Sequence, residues 1–152
     1  MHSQDFTATF LVDRTPEEAF AAITDVRSWW SGEIEGRTDT LGAEFTYRYQ
    51  DVHYSKQVIT ELVPGRRVAW RITDAYLKFT EDPDEWIGTE VAFDVVPDGA
   101  RTEVRFSHLG LVPAFECFDL CSSAWGFYIN KSLRDLITTG RGEPNSTEDR
   151  VA

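Results

Sequence analysis

A chain of 152 residues suits one domain, which at this size buries roughly 68–70% of the surface its unfolded form exposes. Its 15 basic and 26 acidic residues give a formal charge of −11, which repels a polyphosphate backbone and an anionic leaflet alike, so nucleic acid and membrane surfaces are set aside as partners. Aromatic residues make up 13% of the chain, with five Trp and ten Phe, and these rings can fill a core, line a pocket, or do both.

No basic opening followed by an apolar run begins the sequence, and no apolar stretch approaches the roughly 20 residues that span a bilayer, so a cytoplasmic location is expected. Phe6, Ala8, Phe10 and Val12 fall on one side at a period of two and predict a first strand. Thr15-Pro16-Glu17-Glu18 follows, with a capping hydroxyl, a proline at the first helical position and acids in the first turn, and predicts a helix through Ala22 and Ile23. A second short helical piece carries Trp29 and Trp30 before Gly32 and Gly36 interrupt it. Strands are then expected near 33–38, 43–50, 53–63, 66–74, 86–97 and 100–109. Pro64-Gly65 and Pro97-Asp98-Gly99 supply tight reversals and therefore antiparallel neighbours. Residues 75–85, with the acidic run Glu81 to Glu85, read as a solvated loop.

Parity puts Phe45, Tyr47 and Tyr49 on one face, together with Val58, Thr60 and Leu62, Val68, Trp70 and Ile72, Ile87 through Val95 at every second residue, and Val104, Phe106 and His108. The alternate positions Arg67, Arg71, Glu90, Asp94, Arg101, Glu103 and Arg105 are charged, so one face of the sheet is dry and the other wet. After Pro113 the proline-free stretch Ala114 to Thr139, stopped by Gly140, predicts a long helix whose apolar stripe is Phe118, Cys121, Trp125, Tyr128, Ile129, Leu133 and Leu136. Gly126 in its middle points to a close approach or a bend. The expectation is one domain over 1–142 and a polar, disordered tail over 143–152.

The order strand, helix pair, six-stranded run and long helix is the helix-grip order, an α+β fold in which a curved antiparallel sheet of about six to seven strands wraps a C-terminal helix. The Thr15–Phe20 helix start, the Trp29-Trp30 pair, Phe106-Ser107-His108-Leu109-Gly110-Leu111, Glu116-Cys117, Cys121-Ser122, Ala124-Trp125, Ser132-Leu133 and Thr139-Gly140 resemble the activator-of-Hsp90-ATPase homologue 1-like group of the START/SRPBCC (Bet v 1-like) superfamily. The resemblance, from about Phe6 to Pro144, implies a hydrophobic cavity that in different members holds lipids, hormones, polyketides or other aromatic molecules. Some members are enzymes, and the group's name comes from co-chaperones with a separate N-terminal domain that has no counterpart in this sequence.

Tyr47, Tyr49, Trp70, His108, Phe118, Trp125 and Tyr128 are the candidate ligand-binding residues, because aromatic walls with a few polar tips suit small apolar ligands; filling the core is the alternative for each. His108 lies on the dry face, and because histidine as a residue type has an unperturbed pKa of ~6.5 it is the candidate catalytic residue, with a hydrogen-bonded core histidine as the alternative. One of His53 and Tyr54 faces inward. Cys117, Cys121 and His108 have metal-ligand chemistry, but a helical Cys-x3-Cys without a fourth ligand reads as packed thiols, so no metal and no cofactor are expected. The favoured reading is a non-catalytic module binding a small hydrophobic molecule. Its rivals are a cofactor-free cyclase- or hydrolase-type enzyme in the same cavity and a protein-interaction or co-chaperone-like domain; a homodimer is compatible with all three.

Overall fold

Alternation of large apolar and charged side chains draws seven strands into one antiparallel sheet, as a single wet face and a single dry face require. The computed structural model describes residues 6–31, 33–49, 53–77, 86–111 and 118–143. Its elements are β1 (Phe6–Val12), α1 (Pro16–Thr24), α2 (Val26–Trp29), β2 (Ile34–Gly36), β3 (Glu44–Tyr49), β4 (His53–Val63), β5 (Arg67–Leu77), β6 (Glu90–Asp98), β7 (Arg101–Leu109), α3 (Phe118–Phe127), a π-helical segment (Tyr128–Leu133) and α4 (Arg134–Thr139). The strand order is β1-β7-β6-β5-β4-β3-β2, and the last three helical pieces run on from one another as the C-terminal helix over the sheet's dry face, a helix-grip α+β fold. No helix among the described residues is long and apolar enough to cross a membrane.

The local signals explain themselves. Thr15 accepts from the Glu18 backbone N–H while Glu18 reaches back to the Thr15 N–H, a complete capping box ahead of Pro16. On the wet face Arg67 pairs with Glu61 at 2.6 Å and Asp94 at 2.7 Å, and Arg71 with Glu90 at 3.0 Å, so the charged positions join neighbouring strands β4, β5 and β6. Gly140 adopts φ +85 and donates its N–H to Leu136 O, closing the helix.

Three expectations are corrected. On β4 the buried side chains are Ser55, Gln57 and Ile59, whereas Val58 is half-buried and Thr60 exposed. The pairing with β5 slips between Lys56 and Gln57 and again between Ile59 and Glu61, and the second slip returns Leu62 to the dry side opposite buried Val68. Polar residues on an inward face, together with a bulge, defeat a parity rule set by the apolar ones. Second, β6 starts at Glu90 rather than at residue 86: Trp86–Gly88 forms a turn in which Gly88 has φ +89 and donates to Ile72 O, so Trp86 is buried and Ile87 is exposed. Third, of the two alternatives for Gly126 the close approach fails: a Cβ there would meet nothing within 4 Å among the described residues.

The irregularity lies just beyond. Buried Cys121, Trp125, Ile129, Leu133 and Ile137 recur every four residues, a spacing that would wander about 40° around an ideal α-helix at each step. The wider π turns of Tyr128–Leu133 rewind the stripe onto the sheet, leaving Tyr128 and Leu136 half-buried on its flanks. Ser132, inside that segment, donates to Trp29 O at 2.7 Å and accepts from the Glu143 N–H at 2.7 Å, so α2 and the first residue of the expected tail are both stitched to the helix. The rest of that tail, Gly32, Asp51, the acidic run Glu81 to Glu85 and the helix start around Pro113 to Cys117 lie outside the described residues.

Gly110, which follows β7, has φ +102, and a Cβ there would sit 2.8 Å from Thr89 Cγ2. Gly110→Ala is expected to cost about 1–3 kcal/mol by urea denaturation, through both the left-handed backbone and the displaced Thr89.

Candidate functional site

Where the dry face meets the C-terminal helix, all five tryptophans join one aromatic cluster. Trp30 stacks on Tyr47 at 4.3 Å and on Trp70 at 5.9 Å, and it meets Trp125 at 5.0 Å. Trp86 stacks with Trp125 at 6.0 Å and sets its ring edge-to-face against His53 at 4.7 Å and His108 at 4.8 Å. His53 in turn meets Tyr47 at 4.9 Å. Trp86 can reach both histidines because β6 pairs with β5 only over Arg67–Arg71, while β5 runs on to Leu77 alongside β4; the ring fills the seam where the two strands part.

His108 is fully buried and its ring nitrogens are both engaged. The Trp125 indole can only donate, so its 3.0 Å bond makes His108 Nδ1 an acceptor and puts the imidazole proton on Nε2. That Nε2–H donates to Thr89 Oγ1 at 2.8 Å, and the Thr89 hydroxyl donates to Trp86 O at 2.6 Å. The relay therefore fixes one neutral tautomer and ties the C-terminal helix to β7 and to the Trp86 turn.

β4 gives the site a different set of polar groups. His53 faces inward; it is half-buried as a residue, but its Nε2 is sealed from solvent and has no hydrogen-bond partner among the described residues. Ser55 Oγ, Gln57 Oε1, Trp70 Nε1 and Trp86 Nε1 are sealed and unpartnered in the same sense, as is Ser122 Oγ on the helix. The Gln57 amide nitrogen is already committed to Phe45 O at 3.3 Å. Burial holds the His53 imidazole well below its ordinary value of 6.5, at about 3, so it is neutral at physiological pH.

Of the residues expected from sequence, Tyr47, Trp70, His108 and Trp125 come together here. Tyr128 is half-buried and packs edge-on with exposed Phe127 at 5.4 Å, at the margin of the cluster. The Tyr49 and Phe118 side chains lie outside the described residues, as does Cys117; Cys121 is buried in the helix stripe. Sequence reasoning missed Trp86, Thr89 as a hydrogen-bond partner, and the inward Ser55 and Gln57. The signal for Trp86 was the Gly88 turn, which resets parity two residues later. Two hollows walled entirely by described residues lie elsewhere on the surface; the larger, ≈ 630 Å³, sits between the start of α1, the Pro64-Gly65 turn and β6.

Two outcomes follow from this geometry. Trp125→Phe leaves His108 Nδ1 a buried acceptor without its donor and should cost about 1–3 kcal/mol, with the imidazole ¹⁵N shifts losing the signature of a fixed Nε2–H tautomer. For His53, the unfolded chain takes a proton near pH 6.5 while the folded protein resists to about pH 3, so its contribution is fully present above 6.5 and is lost as pH falls through that window. Between pH 7 and 5 the protein should lose about 2 kcal/mol that His53→Phe does not lose, read from urea denaturation of both proteins at both pH values.

The family model described as activator of Hsp90 ATPase homolog 1-like protein matches residues 13–138. Among solved structures, the Aha1 dimer from Colwellia psychrerythraea is similar with a TM-score of 0.73 and 23% identity, over 91% of this chain and 98% of that one. MLL2253 from Mesorhizobium loti gives 0.68 and 15%, over 86% and 96%. CalU16 from Micromonospora echinospora gives 0.61 and 17%, over 88% and 74%. At these identities the solved structures establish the fold alone, and no curated protein matches the sequence. With the family match spanning α1 to the C-terminal helix on a helix-grip fold, the chain belongs to the activator of Hsp90 ATPase homolog 1-like family.

Proposed function

We propose that this protein is a cytoplasmic module, formed by residues 1–142, that binds a small hydrophobic molecule between the sheet and the C-terminal helix without converting it. One observation carries the reading: five polar atoms, on His53, Ser55 and Gln57 of the inner face of β4, on Trp70 and on Trp86, are sealed and without a partner among the described residues. A buried polar group without a partner costs roughly 1–3 kcal/mol, and folded proteins leave few of them. A bound molecule that presents matching polar atoms among the rings would offset that cost.

Binding needs the rings to part. Trp70 stands on β5 in the middle of the sheet, whereas Trp30 follows the four-residue α2 and Trp86 stands in a turn, so these two are the rings with least backbone holding them. Binding is favoured over conversion because His108, the candidate base, spends both ring nitrogens on the Trp125–Thr89 relay. The Colwellia relative is a dimer, which makes a homodimer compatible with this reading.

A thermal-shift screen against sterols, fatty acids and polycyclic aromatics tests the proposal. A ligand at 100 times its dissociation constant stabilises the native state by about 2.7 kcal/mol, which is easily seen in a domain this size. A saturable shift that Trp86→Ala abolishes or strongly alters is expected; no shift from any class would refute the binding reading.

A further inference from the structure

Resting on that binding reading, we propose that the site selects by charge: it admits an uncharged aromatic molecule, anchors its oxygen at the β4 end through His53, Ser55 and Trp86, and excludes the corresponding carboxylate. The described buried polar side chains are Ser31, Thr38, Ser55, Gln57, Thr89, Thr102, His108 and Ser132, every one of them neutral as placed. No Lys, Arg, Asp or Glu is buried among the described residues, so a carboxylate carried between sheet and helix meets no countercharge from a described buried side chain. His53 does not supply one at neutral pH, because burial keeps its imidazole unprotonated until about pH 3. The guanidiniums of Arg67, Arg71 and Arg105 stand on the opposite, wet face, already paired with Glu61, Asp94, Glu90 and Glu103.

The unpartnered atoms state what the ligand must present. The indole N–H groups of Trp70 and Trp86 only donate and therefore need an acceptor oxygen. Gln57 Oε1 only accepts and needs a hydroxyl proton, while Ser55 Oγ serves either way. His53, Ser55 and Gln57 follow one another at alternate positions on β4, so these groups lie along one line of the inner face, and His53 meets the Trp86 ring at 4.7 Å. Two ring pairs are stacked and nearly parallel, 8° for Trp30 with Trp70 and 11° for Trp86 with Trp125, so rings that part expose flat faces to a flat molecule. A neutral hydroxyl on an aromatic ring meets these demands, and a carboxylate or a bare hydrocarbon does not.

Three probes of one shape separate the possibilities: naphthalene, 2-naphthol and 2-naphthoate, titrated at pH 7 into the full-length protein by calorimetry and by ¹H–¹⁵N spectra of the indole N–H groups. Naphthol should bind about tenfold more tightly than naphthalene, the worth of one neutral hydrogen bond, and naphthoate at least about a hundredfold more weakly than naphthol. Naphthol, and not naphthalene, should move the Trp86 indole N–H resonance. His53→Phe and Ser55→Ala should each shrink the naphthol advantage while leaving naphthalene affinity within a few-fold; Ser55→Ala, which removes only an unpartnered hydroxyl, remains informative where His53→Phe does not fold. Naphthoate binding as tightly as naphthol, naphthol binding no better than naphthalene, or both variants keeping the full preference would overturn charge selection and anchoring while leaving the pocket in place. If none of the three bound while a sterol or fatty acid gave a saturable thermal shift, selection of an uncharged aromatic would fall and the binding reading would stand; no ligand in either experiment would bring down both.

Discussion

The bond from the Trp125 indole to His108 Nδ1 is the constraint on which the interior depends. Helix and sheet could otherwise slide on one another, because apolar contact is non-directional. One N–H···N bond at 3.0 Å sets the helix against β7, and its choice of acceptor forces the proton onto Nε2, which then claims Thr89, which in turn claims the backbone of Trp86. A single tautomer thereby positions an element from each of three chain regions. It also removes His108 from the groups available to a ligand; the sealed, unpartnered groups that the described sheet side offers are the ones on β4 and the indoles of Trp70 and Trp86.

That division separates a fixed part of the aromatic cluster from a part that can yield. Trp125 is held through its indole nitrogen to β7, and Trp29 through its own to Ile23 O at 3.1 Å, while Trp70 stands on β5 with β4 and β6 on either side. Trp86 has no such tether at its side chain, and Trp30 is held by ring contacts. The unpartnered Trp86 donor thus sits on a ring that no side-chain polar bond among the described residues restrains, whereas the equally unpartnered Trp70 donor is held by its strand. The coincidence has a physical basis: a hydrogen bond that satisfied Trp86 Nε1 from within the fold would also lock the ring in the seam between β5 and β6.

Much of the fold was legible because its signals are local. The Thr15-Pro16-Glu17-Glu18 start, the two hairpin turns and the alternation on β7 each depend on residues a few positions apart, and all three appear as read. What escaped depends on breaks in period. Ser55 and Gln57 occupy inward positions without being apolar, so Val58 and Thr60 next to them captured the parity; Trp86 sits before a glycine turn that resets it; and the helix stripe is kept straight by π turns that no 3.6-residue template contains. Of the site, Tyr47, Trp70, His108 and Trp125 were legible one by one from their phase, whereas Trp86 was hidden by its turn. Their polar complement was not, because an unpartnered donor is a statement about everything around it, and a linear sequence carries no such count.

The distribution of charge follows the same logic. The ion pairs of the wet face are exposed and individually worth little, in the range of about 0–1 kcal/mol, yet they take up the arginines that would otherwise be the natural partners of an acidic ligand. The chain as a whole carries a formal charge of −11, while the described side chains buried among the rings are neutral. A field of that sign slows the approach of anions from a distance and is indifferent to neutral molecules. Surface and interior therefore bias selection the same way by unrelated means: one acts through long-range repulsion that salt screens, the other through a desolvation cost that salt leaves almost untouched.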